Sequence, residues 1–240
     1  MPLPTIVTPI YELTLPSTGQ EIKYRPFVVK EEKILLLALE SEDLKEITNA
    51  MKIIISNCIK TKNIKVESLP SFDIEYIFLN IRKKSVGEEL ELNILCPDDG
   101  TTEIKVKIDI DDIEVKKNPN HTNKIEISKD LILELKYPSL DQFIRNNFNP
   151  ENITVDQSFD LIIDSIDKLY DKENVYAQTD YTKEEWLQFL DQVNSAQFIK
   201  IQEFFETMPK LSHTIEVVNP KTKVESEVTL EGLGAFFTSQ

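Results

Sequence analysis

The stretch from Glu89 to Ile110 leaves the chain the least freedom. Glu89-Leu-Glu-Leu-Asn-Ile-Leu95 alternates polar and apolar residues almost strictly, and Glu103-Ile-Lys-Val-Lys-Ile-Asp-Ile110 answers it in kind. A period of two sends successive side chains to opposite faces of a strand, whereas a helix needs a period of 3.6. The intervening Cys96-Pro-Asp-Asp-Gly100 gathers turn formers: Pro presets φ, Asp bonds the backbone ahead of it, and Gly accepts positive φ. The segment is therefore an antiparallel hairpin with one polar and one apolar face. The apolar face needs a cover from elsewhere in the chain.

Ile10–Leu15 and Glu21–Val28 read as a second hairpin around Pro16-Ser-Thr-Gly19. A helix is expected from about Lys30, with Glu31 and Glu32 at its positive end and Ile34, Leu35, Leu37, Ala38 and Leu39 as its apolar face. A second helix opens at Ser41-Glu-Asp and carries Leu44, Ile47, Met51, Ile54, Ile55 and Cys58. After a linker from Thr61 to Pro70, a third starts at Ser71 and ends in Arg82-Lys-Lys. Ile125–Ile127 and Leu131–Leu135 form a further strand pair around Ser128-Lys-Asp130. Ser139/Gln142, Thr154/Gln157 and Thr182/Glu185 have capping-box spacing. The box at Thr154 is expected to start a helix whose face runs through Ile162, Ile163, Ile166, Leu169 and Tyr170. The box at Thr182 precedes Trp186, Phe189 and Leu190, and residues 195–207 make another helix before Pro209. His213–Val218 and Val224–Leu230 form a last hairpin around Asn219-Pro-Lys-Thr. The fold class is α+β, with several β-hairpins and a mainly helical second half. In sequence order the regions are 1–86, 87–138 and 139–240.

Composition narrows the function. The 240 residues carry 42 acidic against 27 basic side chains, a net charge of -15 and a pI near 4.7. Nucleic-acid affinity comes largely from Lys and Arg on phosphates, and Arg25, Arg82 and Arg145 are the only arginines, so a nucleic-acid partner is not expected. An anionic membrane surface is disfavoured for the same reason, and no apolar run reaches the roughly 18 residues of a span. The amino-terminal Met-Pro-Leu-Pro-Thr shows no secretory pattern. Two cysteines make no disulfide framework and fit a reducing cytoplasm. The five glycines are too scattered for a phosphate-cradling loop, so no nucleotide cofactor is expected.

No residue set carries catalysis or a metal. Cys58, Cys96, His121 and His213 have none of the short spacings of zinc sites. Cys96-Pro-Asp-Asp99 is half of a zinc knuckle with Asp in place of the second Cys. Asp98-Asp99 and Asp109, Asp111 and Asp112 do not follow an EF-hand pattern, and read as solvated edges that discourage wrong strand pairing. No Ser sits in a Gly-x-Ser-x-Gly elbow. Aromatic residues concentrate late in the chain, where they read as core or as interface anchors. The candidate partner-binding residues are Trp186, Phe204, Phe205, Leu233, Phe236 and Phe237.

Four stretches, taken together, resemble one family. They are Tyr24-Arg-Pro-Phe-Val-Val-Lys-Glu-Glu-Lys-Ile-Leu-Leu-Leu-Ala38 after a hairpin, Ile81-Arg-Lys-Lys-Ser-Val-Gly-Glu88 before one, Met208-Pro-Lys-Leu-Ser-His-Thr-Ile215, and Leu230-Glu-Gly-Leu-Gly-Ala-Phe-Phe237. Their order and content resemble a baseplate protein family of T-even-type, contractile-tailed bacteriophages, whose members serve as baseplate hub or hub-assembly proteins. The central hairpin of that family can carry Cys-x-x-Cys, where this chain has only Cys96. The resemblance implies a virion structural or assembly protein with no enzyme activity and no cofactor. It would be made in the host cytoplasm, be placed in the tail baseplate, and have other baseplate or hub proteins as partners, with homo-oligomerisation left open. Readings from other classes are a transient tail-assembly chaperone absent from the mature virion, and a hydrolase whose acidic pair the sequence does not reveal.

Overall fold

A computed structural model describes residues 6–41, 43–139, 142 and 154–235. The fold is α+β, with helices among small antiparallel sheets. The chain divides into two compact units that interleave along the sequence. One comprises residues 1–66, 72–116 and 210–240; the other comprises 67–71 and 117–209.

The first unit begins with β1 (Tyr11–Thr14) and β2 (Glu21–Tyr24), paired with Leu13 opposite Ile22. Their turn closes with Gly19 at φ +72°, a conformation that costs glycine little. The helix α1 (Val29–Glu40) follows, then α2 (Leu44–Cys58), which Asp43 caps by accepting a bond from the Lys45 N–H at 2.8 Å. Met51, Ile54, Ile55 and Cys58 of α2 are buried, as their helical spacing predicts. The helix α3 (Ser71–Val86) extends past Arg82-Lys-Lys. It buries Phe72, Ile74, Ile77, Phe78, Leu79 and Ile81, apolar contact around much of its circumference, as befits a core helix.

At the start of α1 lies a buried ion pair. The Glu31 carboxylate accepts from Arg25 Nη2 at 3.0 Å, Arg25 Nη1 at 3.3 Å and the Val28 N–H at 3.0 Å. Burial alone would raise the Glu31 carboxyl, but these donors bring it below its ordinary value.

The alternating segment folds as β3 (Glu89–Leu95) and β4 (Glu103–Asp109), in a register that sets Leu92 opposite Val106 and Ile94 opposite Ile104. Leu90, Leu92, Ile94 and Ile108 are buried, while Glu89, Glu91, Lys105 and Lys107 face solvent. The three-residue strand β5 (Glu114–Lys116) has no signature in the sequence and forms only by pairing with a distant partner.

The second unit carries a four-stranded sheet in the order β6-β7-β8-β9: β6 (Lys124–Ser128), β7 (Leu131–Leu135), β8 (Ile166–Tyr170) and β9 (Val175–Ala177). Its helices are α4 (Val155–Ser165), α5 (Lys183–Leu190) and α6 (Ser195–Thr207). The capping boxes at Thr154/Gln157 and Thr182/Glu185 are present, and Asn194/Gln197 adds one not anticipated.

One expectation is corrected here. The helix from Thr154 ends at Ser165, and Ile166–Tyr170 is a strand. Leu135 pairs with Ile166, Glu134 with Lys168 and Leu133 with Leu169, so Asp167 is the extra residue of a β-bulge. The bulge puts Ile166 and Leu169 on one face despite a spacing of three. That spacing imitates a helix.

The last two strands return to the first unit. β10 (Lys210–Val218) pairs with β11 (Glu225–Glu231) on one side and with β5 on the other, giving the order β11-β10-β5. A single helical turn, Gly232–Ala235, follows.

Candidate interaction surface

The hairpin tips in the first unit are joined by a polar latch. In the β3–β4 turn, Gly100 sits at φ +61° and its N–H donates to the Cys96 carbonyl at 2.9 Å. Asp99 Oδ1 accepts from the N–H groups of Thr101 (3.0 Å) and Thr102 (2.9 Å). Asp98 points to the other hairpin and accepts from Asn219 Nδ2 at 2.9 and 3.1 Å and from the Thr222 hydroxyl. Buried Asn219 in turn accepts the Lys221 N–H at 2.8 Å, which fixes the β10–β11 turn. The Thr222 and Asn219 bonds hold the Asp98 carboxyl below its ordinary value, and Thr102 does the same for Asp99. Both carboxylates are thus engaged by neutral donors, and the cluster serves as a clamp.

The clamp positions β11 as the outer strand of its sheet, and among the described residues no strand pairs with its far edge. Four solvent-facing positions of this hairpin are acidic. Glu225, Glu227 and Glu231 of β11 and Glu216 of β10 are exposed, and Glu216 lies directly opposite Glu227. A like-charge pair in that position destabilises a sheet. Lys210 reaches Glu231 at 3.6 Å. A free edge with unpaired N–H and C=O groups, beside a carboxylate face, is equipped to accept a strand bearing cationic residues at alternate positions.

Trp186 and Phe204 are buried in the core of the second unit with Ile127, Leu133, Ile166 and Leu169. The Trp186 ring meets Phe189 edge-on at 5.9 Å, and its Nε1 donates to the Gln178 carbonyl at 3.2 Å. Phe204 stacks on Tyr137 at 5.7 Å and meets half-buried Phe205 edge-on at 5.1 Å. The structure therefore gathers these three aromatics in one core cluster, where Trp186 and Phe204 offer a partner almost no surface. The Leu233 side chain, Phe236 and Phe237 lie outside the described residues. A feature absent from the sequence reading is an open depression of ≈ 500 Å³ in the second unit, lined by Phe159, Val193, Phe198 and Ile199 among others. Phe159 and Phe198 stack in it at 5.6 Å.

The remaining candidates are structural. Cys58 and Cys96 are free and buried; burial pushes the Cys58 thiol up to about 11 and raises that of Cys96. His121 stacks on Tyr137, meets the Phe204 ring at a tilt, bonds Thr207 Oγ1 at 2.9 Å, and is held below its ordinary value of 6.5 by burial. His213 Nδ1 donates to the Asp112 carbonyl at 3.0 Å. Among the described residues no group of His, Cys, Asp and Glu could hold a metal ion, and no helix is long and apolar enough to cross a membrane.

The chain is a bacteriophage tail protein: over residues 8–238 it matches the model of a family described as T4 bacteriophage base plate protein. The chain belongs to that baseplate family, which is in general structural, and its place is accordingly the virion tail among other phage proteins. No curated protein and no solved structure matches it.

Proposed function

We propose that the protein serves the baseplate hub, as a built-in component or during its assembly, and that it does so through protein–protein contact and not through catalysis. The observation that carries this reading is the clamped hairpin with its free, acid-lined β11 edge. Strand addition there satisfies the backbone of β11, and a Lys- or Arg-bearing partner relieves the repulsion between Glu216 and Glu227. Leu233, Phe236 and Phe237 follow β11 directly in sequence and supply the apolar anchors of the same contact. Trp186 and Phe204 are core residues in this reading, and the half-exposed ring of Phe205 is the part of that cluster open to a partner.

The test is co-purification with co-expressed baseplate proteins of the same phage, using a chain ending at Ala235 and, separately, Glu225→Lys/Glu227→Lys. Both variants should keep the far-ultraviolet spectrum of the parent and lose partner recovery. Full recovery by both would refute the surface. Mass spectrometry of purified virions separates the two hub roles: a stoichiometric signal means a subunit, and its absence means an assembly factor.

A further inference from the structure

The helix α1 has an apolar face that nothing among the described residues covers. Only Glu31 and Ala38 of its twelve residues are buried. Val29 is 78% exposed, Leu36 55% and Leu37 56%. At 100° per residue these three fall on one side of the helix together with Lys33 and Glu40. Neither Lys33 nor Glu40 has an ion-pair partner among the described residues. Isolated aliphatic residues on a surface need no explanation, but three exposed on one side of a single helix, with charged residues between and beyond them, are arranged as a contact is.

We infer that this stripe is the interface between two copies of the chain, apposed antiparallel about a two-fold axis that passes between Leu36 and Leu37. The charges fix this choice of occupant. Lys33 and Glu40 lie at equal distances on either side of the midpoint of Leu36 and Leu37, about 5 Å along the axis in each direction. Antiparallel apposition therefore sets Lys33 of each copy level with Glu40 of the other, twice, while Leu36 and Leu37 meet across the axis. A two-fold contact requires such self-complementarity, and a parallel arrangement would oppose like charges. The inference is independent of the hub role and of the β11 edge.

One helix pair buries less than the roughly 1,600 Å² of a standard interface, so a Kd of about 10 µM or weaker is expected. Sedimentation equilibrium of the full chain between about 5 and 500 µM covers that range. The parent should show a monomer–dimer equilibrium, and Leu36→Glu should be monomeric throughout. Lys33→Glu and Glu40→Lys should each raise Kd on the order of tenfold, because each places like charges together twice. The double variant Lys33→Glu/Glu40→Lys restores opposite charges across the axis and should return Kd to within about threefold of the parent. These side chains are exposed, so circular dichroism should show all four variants folded. A parent that stays monomeric, a dimer indifferent to Leu36→Glu, or a double variant no better than the single ones would overturn the assignment.

Discussion

Replacing Glu31 by Ala tests how the first unit is held together. Glu31 is 2% exposed and its Arg25 partner 15%. The guanidinium also donates to the Pro26 carbonyl at 2.8 Å and approaches Cys58 Sγ at 3.7 Å, but Glu31 is its one anionic partner among the described residues. Removing the carboxylate leaves a buried cation uncompensated and the Val28 N–H without its acceptor. Breaking a buried pair from one side costs about 3–5 kcal/mol, a large part of a typical total of about 5–15 kcal/mol. At roughly 2–4 °C per kcal/mol for a chain of this size, the melting transition should fall by about 6–20 °C. Urea unfolding followed by circular dichroism measures the loss directly. Arg25→Met/Glu31→Leu removes both charges and should recover all but about 1 kcal/mol, since apolar replacement of a buried pair is often neutral. A Glu31→Ala loss below about 1 kcal/mol would refute the reasoning, because it would mean that the Arg25 charge is already compensated by water. The pH dependence has a definite sign. The Glu31 carboxyl lies below its ordinary 4.5 in the folded chain, so its contribution is complete above that value and fades as pH falls through the lower, folded one.

The latch gives a second outcome: Asn219→Ala should cost about 1–3 kcal/mol through lost bonds to Asp98 and the Lys221 N–H, with faster amide exchange in both hairpin turns. Buried, raised thiols predict that Cys58 and Cys96 ignore a thiol reagent at neutral pH in the native chain and that both react in urea. Because burial lowers the folded His121 pKa, the unfolded chain takes up that proton first as pH drops below about 6.5. His121→Phe should therefore flatten the stability profile just below that pH, read by thermal melts in a pH series.

Elements specified by neighbouring residues were legible in the sequence. The β3–β4 hairpin needs only its own alternation and the Cys96–Gly100 turn, and the capping boxes at Thr154 and Thr182 close within one turn of helix. Elements that depend on a distant partner were not legible. β5 is three residues whose identity comes from β10, and β8 is disguised by a bulge that only its pairing with β7 reveals. The same limit governs the surface. A Phe at 204 and a Leu at 36 are both apolar residues on helices, and the pattern cannot say which packs inward. Aromatic weight therefore points to Trp186 and Phe204, which are core, while the expected apolar face of α1 includes Leu37, which is open to solvent together with Leu36. The acidic edge was hidden for a related reason: the opposition of Glu216 and Glu227 exists only in the register of β10 and β11.

The pairing of β5 with β10 also sets an order of events during synthesis. Lys116 meets Lys210 across that ladder, and most of the second unit lies between them in sequence. On the ribosome, the sheet and helices of the second unit emerge as one nearly continuous stretch and can close as they appear. The first unit starts earlier but stays without β10 and β11 until almost the whole chain has been made. Its helices and hairpins must therefore remain dispersed while they wait. The excess of acidic over basic side chains, which gives the complete chain its net charge of -15, acts against association of such an unfinished chain with its neighbours.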